Sequence, residues 1–292
     1  MRLSILFSVM VWFLFIQPAF SSVLVSADWV KNNSGKIVIL DVQNKKTAYG
    51  KGHIPNALQI IRHKQLENHY AYTPNKYPTS EQFQDLMRSL GISNEDTVVA
   101  YDDHHGIFAS RLVFLMEYFG HEFSKLKILD GGIVEWKNKG YTITKKNTSK
   151  PARSNYETKS AMEGIIVSWS DIFHNVIQKA DPDIVLIDTR PEKEFKGEKK
   201  RTTRSGHIPG AINITGQDAF NYDKSHKYLP LDKVAKSFKN IKKSAKIYLY
   251  CHSSDRAAHA YVGLVHLLGY KNVHIYDGAW LEWANLTALP IK

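Results

Sequence analysis

Cysteine is nearly absent from this chain: 292 residues hold one, Cys251. A single thiol excludes an intramolecular disulfide, so stability must come from a packed core. Dense basic runs are scarce too. The formal net charge is +11, yet the cations lie scattered through both halves, apart from Lys199-Lys200-Arg201 with Arg204. No nucleic-acid-binding motif accompanies them, so the charge favours a small anion or a membrane surface over nucleic acid as the anionic partner. A membrane-spanning run is also missing. The apolar stretch Leu3 to Ile16 falls short of the ~20 residues that a spanning helix needs. With Met1-Arg2 before it and Pro18, Ala19, Phe20 and Ser21 after it, residues 1–21 read as a secretory signal cut near Ser21 rather than a retained anchor. The mature protein is therefore expected to be exported, periplasmic or secreted, with no stable membrane insertion. An exported chain with one cysteine keeps it either as an inert buried residue or as a reactive thiol.

Hydrophobic residues at 43% and charged residues at 23% are the balance of a globular protein, and the length allows two domains. The chain repeats itself. "GHIPNA" at 52–57 returns as "GHIPGA" at 206–211, and "IVILDVQ" at 37–43 as "IVLIDTR" at 184–190. "VVAYD" at 98–102 aligns with "IYLYC" at 247–251, and "LKILDGGIVEW" at 126–136 with "VHIYDGAWLEW" at 273–283. Four blocks in the same order mean a duplicated domain. The polar stretch 145–160 has linker composition, which places one domain at 22–144 and the other at 161–292.

Within each half, short apolar runs alternate with helical patterns. Residues 37–40, 98–101, 184–187 and 247–250 read as buried strands, and 80–91 and 255–269 as helices ending at Gly91 and Gly269. The pattern predicts an α/β fold, two tandem domains each with a mostly parallel sheet flanked by helices. Cys251 falls at the carboxyl end of a strand and just before a helix. That is where open α/β sheets place reactive groups. Unpaired amides and the positive end of a helix there favour the thiolate, the nucleophilic form. Residues 251–256 would curl into an anion-holding nest, with Ser253 and Ser254 as hydroxyl donors and Arg256 as fixed positive charge. Ordinary helix capping would use the same residues.

Cys-x4-Arg after an apolar strand, "DTR" and "GHIPGA" upstream and "DGAWLEW" downstream together resemble the rhodaneses, sulfurtransferases that form a cysteine persulfide. The resemblance runs from about Ser26 to Trp283 and covers both halves. It implies that Cys251 is the catalytic nucleophile and that His252, Ser253, Ser254, Asp255, Arg256 and Arg190 form the donor site. It implies no cofactor and no metal. The partners it implies are a small anionic sulfur donor, such as thiosulfate, and a thiol or cyanide acceptor. It also implies a catalytically silent amino-terminal half, since Asp102 stands where a thiol would be. Cysteine phosphatases carry Cys-x5-Arg, and here position six is Ala257, so sulfur transfer is favoured over phosphatase or arsenate-type chemistry. A sulfur carrier with little turnover is the other class left open.

The loop "CHSSDR" matches neither the thiosulfate type nor the mercaptopyruvate type. Glu194 stands where two-domain members often have a second arginine, and its charge would repel an anionic donor. The basic run 199–204 would compensate if it lay near the site's mouth. His53, His207, Asp130 and Asp277 recur in both halves, active and inactive, and are therefore expected to be architectural. "DDHH" at 102–105 has metal-ligand types, but adjacent residues seldom converge on one ion.

Overall fold

The structure is a computed structural model and describes residues 22–159, 161–220 and 224–292. The expected signal segment lies outside the described residues. No helix among them is long and apolar enough to cross a membrane.

Two five-stranded sheets follow the same plan. The first joins β1 (Leu24–Val25), β2 (Val38–Asp41), β3 (Leu58–Gln59), β4 (Val98–Tyr101) and β5 (Leu126–Leu129) in the order β1-β5-β4-β2-β3. The second joins β6 (Ile166–Val167), β7 (Ile184–Asp188), β8 (Ile212–Asn213), β9 (Lys246–Tyr250) and β10 (Val273–Tyr276) in the order β6-β10-β9-β7-β8. All the pairings are parallel. The central strands β4 and β9 are apolar on both faces because helices cover both faces, which is why no polar alternation marks them.

The expected helix at 80–91 runs over Ser80–Ser89. Thr79 rather than Ser80 is its cap: the Thr79 hydroxyl accepts the Gln82 amide, and the Gln82 side chain in turn accepts the Thr79 amide. The helix after Cys251 begins at Asp255 and passes into π-turns over Val262–Leu267 before Gly269. Residues 145–159 form neither helix nor strand, but they are laid firmly along the first half. Tyr156 is buried there, and its carbonyl accepts Arg88 Nε at 2.7 Å.

The two halves share one core. The helix Ile107–Tyr118 is buried along nearly its whole length, and it packs on Asp255–Tyr261 with Phe114 and Tyr261 edge to face at 4.9 Å. A helix apolar all round needs cover on every side, and the second half supplies the missing side. The seam is close to two-fold symmetric. Asp277 accepts the amide of Tyr77 (3.0 Å), and Asp130 accepts the amide of Tyr228 (2.9 Å). Lys76 reaches Glu282 at 3.5 Å, and Lys227 reaches Glu135 at 2.8 Å. The histidines of the Gly-His-Ile-Pro turns also match. His53 stacks on Tyr49 with Nδ1 on the Tyr49 carbonyl, and His207 stacks on Phe195 with Nδ1 on the Phe195 carbonyl. These repeated residues hold turns and the seam between the halves.

Candidate active site

Cys251 follows β9 directly and is 1% exposed. Its carbonyl accepts the Trp280 amide at 2.9 Å and that of His252 accepts Leu281 at 3.1 Å, which ties the loop to the "DGAWLEW" segment. Ser254 then takes a left-handed conformation (φ 64°) and turns the chain into the helix. The amides of residues 252–257 find no hydrogen-bond acceptor among the described residues. The loop that follows the cysteine thus keeps a run of unpaired donors, the kind of turn that can take an anion.

A cavity of about 190 Å³ opens at Cys251. From the second half it is lined by Cys251, Ser253, Asp255, Arg256 and Arg201. From the first half come Asn44, Arg62, His104, Ile107 and Phe108. The site therefore lies on the seam. Arg256 makes no hydrogen bond or ion pair among the described residues, which leaves its guanidinium available to an anion. Arg201 lies 3.6 Å from Glu194, a buried carboxylate, so the charge that would repel a donor is offset by the basic run. Arg204, from the same run, is engaged elsewhere. It donates to the Trp283, Ala284, Leu286 and Leu289 carbonyls at the end of the helix Ala279–Asn285.

The other expected donor-site residues divide. Ser253 lines the cavity, but its hydroxyl donates to Asp255 Oδ2 at 3.2 Å. Ser254 is fully buried, and its hydroxyl donates to the Tyr276 and Asp277 carbonyls at 3.2 and 2.6 Å. Both serine hydroxyls thus brace the loop instead of facing a donor. His252 lies outside the cavity wall. Burial, with Arg201, Arg190 and Arg256 nearby, pushes it down to about 4, so it is neutral at pH 7. Arg190 is not brought to the cavity at all. Its Nε and Nη2 grip the Asp188 carboxylate at 2.6–3.0 Å, Nη2 also donates to the Gly206 carbonyl at 2.7 Å, and the group stacks over Trp280 at 4.3 Å. It joins β7 to the Gly-His-Ile-Pro turn.

Asp255 is the hinge of the site. Arg62 Nη1 donates to its two oxygens at 3.0 and 2.9 Å, and Arg111 Nη1 reaches Oδ1 at 3.4 Å. Arg111 is fully buried and also donates to the carbonyls of Ser253 (3.1 Å), Leu66 (2.9 Å) and Asn75 (2.9 Å). Two arginines of the first half therefore hold the cysteine loop of the second. Sequence reasoning missed Arg62, Arg111, His104 and Asn44, because no local spacing links positions 142 or 193 residues apart.

Known proteins agree with this architecture. The family model of the rhodanese-like domain matches residues 26–139 and again 173–286. The chain is 32% identical over 283 residues to the "Sulfur carrier protein TtuD" of Thermus thermophilus, covering 94% of this chain and 97% of that one. It is 32% identical over 282 residues to a protein of Mycobacterium tuberculosis named "Putative thiosulfate sulfurtransferase", covering 92% and 97%. Wild-type EanB shares its fold with a TM-score of 0.79 at 24% identity, over 92% of this chain and 69% of that one. The anaerobic ergothioneine biosynthesis enzyme of Chlorobium limicola gives the same score and identity, over 92% and 70%. With two matched domains, two parallel sheets of one topology and a lone cysteine on a strand-to-helix loop, this chain belongs to the rhodanese-like family as a tandem-domain member.

Proposed function

We propose that this protein moves a sulfane sulfur from thiosulfate, or a closely related anionic donor, to a small thiophilic acceptor through a persulfide on Cys251. The thiolate attacks the outer sulfur of the donor, forming a Cys251 S–S bond. The donor's own S–S bond breaks, and sulfite leaves with its electron pair. Cyanide or a thiolate then attacks the terminal sulfur of the persulfide, takes it as thiocyanate or a new persulfide, and returns the Cys251 thiolate. The observation that carries this reading is the set of unpaired amides at 252–257 in the loop after Cys251, with an unpartnered Arg256 lining the same cavity as the thiol. Amides at a helix start stabilise the thiolate and then the persulfide anion, and Arg256 holds the donor's oxyanion. The cavity suits this use, being small and lined mostly by polar and cationic groups. From the charged start, short apolar stretch and small residues of 1–21 we further propose that the mature protein is exported and begins near Ser22; amino-terminal sequencing of exported material checks this.

Mass spectrometry after thiosulfate treatment should find one added sulfur on the Cys251 peptide, with sulfite released and the sulfur removed by cyanide. Cys251→Ser should show neither step. Turnover in the serine variant would discard the nucleophile. Loading without release to cyanide or any thiol would assign the protein to sulfur carriage.

A further inference from the structure

The cavity wall contains a second cation that faces Cys251 from the other half of the chain. Arg62 is 6% exposed. Its Nη1 is committed to Asp255 and lies 3.4 Å from Glu67, its Nη2 contacts His63, and its guanidinium rests over the Phe108 ring at 4.7 Å. Nε alone is buried with no hydrogen-bond partner among the described residues. An unsatisfied buried donor costs about 1–3 kcal/mol, and more when the group is charged. Holding Asp255 does not explain that cost, because Nη1 and Arg111 already do so.

We propose that Arg62, which lines the cavity, binds the anionic head group of the sulfur donor, its free Nε–H turning to the donor on binding, so that the binding site is shared between the halves. This rests on the reading of Cys251 as the sulfur-transfer nucleophile. The charges fit. Arg62 and Arg111 balance Asp255 and Glu67, so the carboxylate nearest the thiol no longer repels a dianion. Arg256 and Arg201, from the second half, then add positive charge to the same cavity. A guanidinium can hold Asp255 through Nη1 and still offer Nε–H to an oxyanion, which the single nitrogen of an ammonium cannot do with the same geometry. The half without a thiol thus selects what the thiol receives.

Alkylation of Cys251 tests this without any sulfur transfer. Iodoacetate and iodoacetamide react alike and differ in charge, so the ratio of their rates reports the field felt by an anion in the cavity. Arg62→Gln should lower that ratio about tenfold, the effect of one nearby charge at intermediate dielectric. Sulfate, an unreactive oxyanion, should protect the parent from iodoacetamide, and Arg62→Lys should raise the half-protecting concentration by about tenfold as the Nε–H contact is lost. An unchanged ratio in a folded Arg62→Gln protein overturns the proposal. If that variant does not fold, the lysine variant decides, and protection equal to the parent's overturns it. Failure of sulfate to protect the parent also counts against it. If the parent alkylates as expected but never turns over thiosulfate, the functional reading fails and the Arg62 site stands.

Discussion

The loop at Asp102 and the loop at Cys251 are two copies of one device, and the difference between them is what fills it. In the first half, Asp102 Oδ1 accepts the amides of His104 (2.7 Å) and Gly106 (2.9 Å), while Oδ2 accepts those of Phe108 (2.8 Å) and Ala109 (3.1 Å). Burial outweighs the pull of the four amides and leaves that carboxyl above the usual carboxylate range, while each oxygen still takes two donors. The nest has bound its own side chain. In the second half the equivalent amides are unpaired, and the residue in Asp102's place is a thiol. The Asp102 loop therefore shows, in the same molecule, that the amides of this turn converge on acceptor oxygens.

The two loops also differ in length. Gly120 and Gly269 each fall 18 residues after Asp102 and Cys251, which makes the copies look equal. Yet the first helical residue is Ile107 in one and Asp255 in the other, so the cysteine loop is one residue shorter. The displaced residue is absorbed by the π-turns at Val262–Leu267. The shorter loop brings Asp255 within reach of Arg62 and Arg111, and it sets Arg256 at the cavity.

The strongest way to break the comparison is to make the active loop a copy of the silent one. Cys251→Asp should abolish turnover completely and keep the thermal midpoint at or above the parent's, because the amides at 252–257 gain a carboxylate. A midpoint several degrees lower would show that the two nests are not equivalent. Removing the cation that only the active loop has comes next. Arg256→Ala should lower kcat/KM for thiosulfate by ~10–100-fold, roughly 1.4–2.8 kcal/mol of transition-state stabilisation, with Arg256→Lys recovering part of it. An unchanged rate with a slightly lower midpoint would make Arg256 a helix-end residue and nothing more. The smallest effect on rate is expected on the silent side. Asp102→Asn turns an NH2 group toward two of the four amides, which should cost about 1–3 kcal/mol of stability. Turnover at a temperature well below the midpoint should stay within a few-fold of the parent. A larger loss would mean that His104, Ile107 and Phe108, carried by that loop into the cavity wall, do more than enclose it.

Much of this is legible in the sequence, and the boundary between legible and hidden has a physical cause. The four repeated blocks carry the duplication, and the short apolar runs carry the parallel strands, because burial on both faces removes polar alternation. Cys251 and Arg256 can be read because a strand, a turn and a helix fix their relation locally. Arg201 can be placed at the mouth from its position between two motifs. Arg190 is expected at the donor site, but Asp188, two residues away, claims its guanidinium. Arg62 and Arg111 are out of reach: each sits in the silent half, and its partner lies on a loop more than a hundred residues on. Only the shared core brings them together.

Cys251 sits in a clamp, and for the persulfide proposed there this seclusion also governs survival. A persulfide is lost when another thiol attacks it or when oxidants carry the sulfur up through its acids. This chain has no other thiol, and its single cysteine sulfur is 1% exposed at the bottom of a cavity of about 190 Å³ walled by both halves. Two copies of the protein cannot bring these sulfurs into contact without prying apart the seam that Arg62 and Arg111 hold on Asp255. That seam keeps the sulfur in exchange only with molecules small enough to enter the cavity.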